Sequence, residues 1–86
     1  MESIKLIPFE KLKVSEYNVR TVIKKEEIEA LMNSIRKLGL LEPLTVMPED
    51  DKYGIVIGRR RYEAIKILKK KHPSEFQLLF GEGIPC

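Results

Sequence analysis

An apolar run, Tyr53-Gly54-Ile55-Val56-Ile57, leads through Gly58 straight into Arg59-Arg60-Arg61 and a helical pattern that lasts to Lys71. Extended chain followed at once by helix fixes a strand-to-helix junction, with the glycine marking the turn. A helix N-terminus presents unpaired backbone N–H groups and the positive end of the dipole, so three arginines placed there repel the dipole and one another. A negative group among them relieves both terms. Phosphate suits the position, because guanidinium forks match its oxygens and the free amides add hydrogen bonds.

Spacing residues at about 100° around the helix axis sharpens the argument. Ala64, Ile65, Ile67 and Leu68 define the apolar arc; Arg61 projects into it, Arg60 lies at its edge, and Arg59 points away beside Lys66. Two charges are therefore aimed inward, and an inward arginine needs an anion or a carboxylate as partner. The plainer alternative is a solvated basic face neutralised by Glu63 and other acids, and the residues alone leave the two readings open.

With 86 residues the chain is one small domain or a piece of one, near the lower limit for an independent core. The last residues, Gly83-Ile84-Pro85-Cys86, read as an apolar run that is just beginning, with no closing element after it. A partner chain such as a second copy, a missing C-terminal domain or a bound ligand is the expected completion. The net charge is only +3, yet Arg59 to Lys71 holds seven Lys/Arg against one Glu, a local +6 that leaves −3 for the rest. Such concentration favours a specific anion site or a nucleic-acid-facing helix over a general polycation. The single cysteine, Cys86, excludes an internal disulfide, and no signal peptide, long apolar span or lipidation box is present, so a cytoplasmic chain without membrane partners is expected.

Along the chain, Ile4 to Ile7 reads as a first strand halted by Pro8, with a turn through Phe9 to Leu12 and polar, irregular sequence as far as Thr21. From about Lys24 to Leu38, Ile28, Leu31, Met32, Ile35 and Leu38 recur at helical spacing; the acidic start and basic end complement the dipole, and Gly39 caps the end. Pro43 to Pro48 and Tyr53 to Ile57 form a strand pair across the turn Glu49-Asp50-Asp51-Lys52, and the second helix runs from Arg59 to Lys71, stopped by His72-Pro73-Ser74. Phe76 to Phe80 is equally readable as helix or strand. The expected class is α+β, a short mixed sheet packed with two main helices.

Three blocks, in order, resemble the ParB and sulfiredoxin superfamily, specifically the N-terminal domain of ParB-like proteins. Tyr17-Asn18-Val19-Arg20 is similar to an Asn-Pro-Arg segment, with Val19 in place of proline. Ser34 to Val46 is similar to the family's box of helix end, glycine and following strand. Gly58 to Ala64 resembles the phosphate-binding motif Gly-Glu-Arg-Arg-x-x-Ala. The resemblance covers roughly Ile4 to Cys86 and implies a nucleotide-binding domain, with CTP and magnesium as in ParB proteins, or ATP. Carried over, Gly58, Arg60 and Arg61 contact the triphosphate, Gly39, Leu40 and Thr45 lie near the nucleotide, and Arg59 fills a variable position of the same turn.

Sulfiredoxins carry their catalytic cysteine at the position of Arg59, so the resemblance excludes that activity here. ParB proteins also have a further nucleotide-binding segment with a Glu-Asn pair and a helix-turn-helix, neither of which occurs in these residues. The expected role is a nucleotide-binding module of a DNA-partition or DNA-associated protein, with slow hydrolysis left open. The second reading is a phosphotransferase resembling ParB-like free serine kinases, with Glu42 and Glu16 as candidate bases. Lys66, Lys69 and Lys70 should give weak, non-specific DNA contact. His72, alone and before a proline, has no metal-ligand spacing around it. Asn18 and Arg20 read either as loop-holding or as ligand contacts. Tyr62 reads as core with its hydroxyl at the rim.

Overall fold

The computed structural model describes residues 4–15 and 24–86. Glu16 and the block Tyr17-Asn18-Val19-Arg20 lie outside the described residues. Among the described residues, five strands and three α-helices follow in the order β1 (Leu6–Ile7), a 3-10 turn (Phe9–Lys11), β2 (Leu12–Val14), α1 (Lys25–Leu38), β3 (Thr45–Glu49), β4 (Lys52–Ile57), α2 (Arg59–Lys71), α3 (Pro73–Phe80) and β5 (Ile84–Pro85). The fold is α+β, as the patterning predicts. One sheet is mixed, in the order β2-β4-β3, with β2 parallel and β3 antiparallel to β4. A second, two-stranded sheet pairs β1 with β5.

Central strand β4 is the hub of the mixed sheet. Leu12 and Val14 pair with Tyr53 and Ile55 on one side, while Val46 and Glu49 pair with Ile55 and Lys52 on the other. Asp50 turns the hairpin at φ 56°, a left-handed conformation that Asp tolerates because its short polar side chain bonds locally. Strand β2 falls within sequence expected to be irregular. Its three residues, Leu12-Lys13-Val14, are too few to show alternation, and pairing with β4 rather than local preference makes them a strand.

Helix α1 buries Ile28, Met32 and Ile35, and α2 buries Tyr62, Ala64, Ile65 and Leu68. The two faces meet in one core with Leu44, Ile55 and Ile84. Gly39 ends α1 with its N–H donated to the carbonyl of Ile35 at 2.8 Å, at φ 77° and ψ −176°. Leu38 fits the apolar spacing but sits at the last turn, beyond the packed face, and is exposed.

The ambiguous Phe76 to Phe80 run is helical. Pro73 starts α3, and Phe76 and Phe80, four residues apart, fall on its buried face. The Arg36 guanidinium ties α1 to α3 through Glu75, with Nη2 donating to Oε1 at 3.1 Å, and this bond holds the Glu75 carboxyl below its ordinary range. Tyr62 stacks on Phe9 at 5.4 Å, and burial followed by the neighbouring Glu63 charge raises its hydroxyl pKa.

The apolar run at Gly83 to Cys86 forms β5, which pairs with β1 at the other end of the described chain. Lys5 and Cys86 exchange both backbone hydrogen bonds, at 3.0 and 2.9 Å, and the N–H of Leu44 donates to the carbonyl of Pro85 at 3.1 Å. Two residues cannot announce a strand in sequence, since the partner is at the other end of the chain. Gly83, at φ 132°, allows this pairing: a Cβ there would fall 2.9 Å from the backbone nitrogen of Ile7.

Candidate functional site

Strand β4 delivers the chain to Gly58, which adopts φ 101° and ψ 25° and caps α2, its carbonyl accepting from the N–H of Tyr62 at 3.0 Å. Glycine supplies no capping oxygen, and the first turn of α2 contains no acid. The amide end of the helix and the three guanidinium groups are therefore uncompensated within the turn itself.

Arg61 goes inward, as its place in the apolar arc requires. Its side chain is 21% exposed, and Nη1 donates to the carbonyl of Glu42 at 3.0 Å and the carbonyl of Pro43 at 3.4 Å. The Glu42 carboxylate adds a contact at 3.4 Å while remaining 79% exposed. The partner the inward charge demands is thus a loop: two carbonyls and a carboxylate from the segment that follows Gly39.

The other two arginines exchange the orientations expected of them. Arg60 extends to the surface, 55% exposed, with Nη2 4.0 Å from the Glu27 carboxylate in the first turn of α1. Arg59 does not stand free beside Lys66; it is half-buried, and its Nε is fully buried with no hydrogen-bond partner among the described residues. Placing side chains radially at 100° intervals misses the cause. Helical side chains lean toward the N-terminus, so a long residue at the first helical position folds back over the strand-helix junction, while one at the arc's edge reaches along the surface.

Beside Arg61 lies a hollow of about 160 Å³ between α1 and the loop after it. Leu31 and Ile35 of α1 and Leu40 and Leu41 of the loop wall it, Ser34 and Gly39 complete the lining, and Glu42 and Arg61 supply the charge. It brings together three of the expected site residues, Gly39, Leu40 and Arg61. At this size it accepts part of a nucleotide rather than the whole, since pockets that enclose drug-sized ligands run from about 300 to 1,000 Å³. Thr45 is elsewhere: exposed, paired with Ile57, and lining a larger groove of about 560 Å³ with Lys5, Tyr53 and Cys86. Burial pushes the Cys86 thiol up to about 11, so it is a thiol rather than a thiolate at neutral pH.

Leu31, Ser34, Ile35 and Leu41 were not anticipated as site residues. The signal for Leu41 was present, since Gly39 to Pro43 is one short loop, but the approach of Leu31 and Ser34 depends on how α1 packs. Among the described residues no group of three His, Cys, Asp or Glu could hold a metal ion. The one carboxylate at this hollow is that of Glu42. The donor set that is present, a buried guanidinium nitrogen, the α2 amide end and Arg61, fits phosphate oxygens.

The family model described as the ParB N-terminal domain matches residues 1–76. The chain belongs to this family. Nucleoid occlusion proteins are similar to it: that of Halalkalibacterium halodurans is 31% identical over 67 residues, 78% of this chain and 24% of the relative. That of Bacillus thuringiensis is 42% identical over 64 residues, 73% of this chain and 22% of the relative. Among solved structures, the C-terminally truncated chromosome-partitioning protein ParB from Caulobacter crescentus, complexed with CTP-γ-S, superposes with a TM-score of 0.68 at 33% identity, covering 77% of this chain and 38% of that one. This ParB N-terminal domain therefore spans about a quarter of the length of those nucleoid occlusion relatives. None of its described helices is long and apolar enough to cross a membrane.

Proposed function

We propose that this domain binds a nucleoside triphosphate, CTP before ATP, as the nucleotide-sensing part of a cytoplasmic DNA-partition or nucleoid-occlusion protein. The supporting observation is the meeting of the Gly39-Leu40 loop with Arg61 at the uncompensated N-terminus of α2. The likeness to a ParB complexed with a CTP analogue supports the choice of CTP. In this reading the Gly58 turn and the α2 amides take the phosphates, with Arg59 and Arg60 beside them, and Arg61 links them to the hollow. Thr45, paired with Ile57 next to the turn, lines a different groove and is left out of this reading. Magnesium accompanies the triphosphate and neutralises part of its charge.

Calorimetric titration with CTP, ATP and GTP in magnesium, comparing wild type with Arg60→Ala, tests the reading. Arg60 is exposed and makes only a distant ion pair, so its truncation leaves the fold intact. Loss of its charge-assisted bonds should cost about 1.5–3 kcal/mol of binding, roughly tenfold or more. Equal affinity in the mutant removes the proposal.

DNA contact is expected on another face of α2. Lys66 and Lys70 are exposed, and Lys69 lies over the rings of Phe9 and Phe76 at 5.2 and 5.9 Å. Lysine contacts to phosphates carry no base reading, so the domain should bind duplex DNA with a non-specific Kd of roughly 10⁻⁴ to 10⁻⁶ M that weakens steeply with salt. Fluorescence anisotropy with two unrelated duplexes at two salt concentrations checks this; salt-resistant preference for one duplex would contradict it.

A further inference from the structure

We infer that Glu42 is a built-in counter-anion of the arginine site: its carboxylate occupies Arg61 until a ligand phosphate displaces it, and it thereby sets the site's affinity for triphosphates. The inference rests on the nucleotide reading above and adds a residue that limits it.

Three acceptors from one loop share Arg61 Nη1, and they differ in kind. The carbonyls of Glu42 and Pro43, at 3.0 and 3.4 Å, are backbone groups that tether the loop to α2 whatever the ionic state of the site. The Glu42 carboxylate, at 3.4 Å, is mostly exposed and pairs with no other cation among the described residues, so it can swing into solvent while the tether persists. Its departure is inexpensive, because an exposed ion pair is held weakly.

Arg61 also reaches in the other direction. Nη2 lies 3.2 Å from the point where a side chain on Gly58 would begin, against the capping turn of α2, and among the described residues Nε and Nη2 donate to no acceptor. One guanidinium thus spans the carboxylate at the hollow and the amide end where a phosphate is expected. Two anions sharing that guanidinium repel at this range, so phosphate binding and the Glu42 contact compete. A polyphosphate wins by its larger charge. Without the carboxylate, the same phosphate meets Arg61 unopposed.

The test is CTP titration of the 86-residue chain as wild type, Glu42→Gln, Glu82→Gln and Arg60→Ala, each with and without magnesium and at two salt concentrations. Glu82 is exposed and lines a different hollow, beside Pro8 and Phe9, so its substitution changes net charge equally without touching the site. Glu42→Gln should bind CTP about fivefold tighter at low salt, with and without magnesium, and the gain should shrink as salt rises. Glu82→Gln should bind like wild type. Unchanged or weaker binding by Glu42→Gln while Arg60→Ala is impaired overturns this inference and leaves the nucleotide reading standing. A loss in Glu42→Gln seen only with magnesium overturns it by making the residue a metal ligand, and an equal gain in Glu82→Gln overturns it by reducing the effect to net charge. Wild-type affinity in Arg60→Ala overturns the nucleotide reading and this inference with it.

Discussion

Gly58→Ala is expected to destabilise the domain by about 2–4 kcal/mol, from left-handed backbone strain and overpacking together. The backbone at φ 101° lies where a Cβ meets its own carbonyl, and the added methyl would fall 2.7 Å from Leu44 Cδ2. Leu44 is 2% exposed and packed in the core, so yielding to the methyl means repacking it. The same methyl would lie 3.2 Å from Arg61 Nη2, so the variant should also lose nucleotide affinity by shifting the guanidinium. Gly39→Ala carries a backbone cost without overpacking, since φ there is 77° and nothing lies within 4 Å of an added Cβ. Urea unfolding, with CTP titration alongside, checks this; a Gly58→Ala protein destabilised by no more than about 1–2 kcal/mol of backbone strain would show that Leu44 does move.

Leu44→Ala is the second large effect. This side chain plugs the space between Gly58 and the core, and its own N–H anchors the Pro85 carbonyl. Truncating a buried leucine costs about 2–5 kcal/mol through lost burial and the cavity left behind. The double variant should be less destabilised than the two singles combined, because the cavity accepts the Gly58 methyl and leaves about 1–2 kcal/mol of backbone strain as the added cost. Full additivity in the double-mutant cycle would mean that the two positions do not share that space.

Legibility in the sequence followed how local the cause was. Helices α1 and α2 were readable because Ile28, Met32 and Ile35, and Ala64, Ile65 and Leu68, repeat with the helix period, and Gly39 and Gly58 punctuate them. The hairpin was readable from its prolines and acidic turn. Strands β2 and β5, three and two residues long, exist only through partners far away in the chain, and no local pattern encodes them. At the site, the arginine turn was evident and Arg61's inward path followed from the wheel. The reversal of Arg59 and Arg60 comes from side-chain lean and reach, which a radial projection omits. The partner of Arg61 was hidden for another reason: nothing in Glu42-Pro43 states that its carbonyls, rather than a separate carboxylate, meet a guanidinium nineteen residues onward.

The hydrogen bonds between Lys5 and Cys86, and from Leu44 to Pro85, also order events in time. Ribosomes add about 5–20 residues per second, and contacts that join distant segments form last. While the chain emerges, the hairpin and α2 can form as soon as they are made, but Leu44 keeps an unpaired amide until residues past Gly83 arrive. The segment carrying Gly39 to Pro43 is held by Arg61 alone until then, and the Leu44 amide beside it gains its second anchor last. A product lacking the last few residues would carry the arginine turn with the loop that faces it tethered by Arg61 alone, so its nucleotide site should be looser than that of the whole domain.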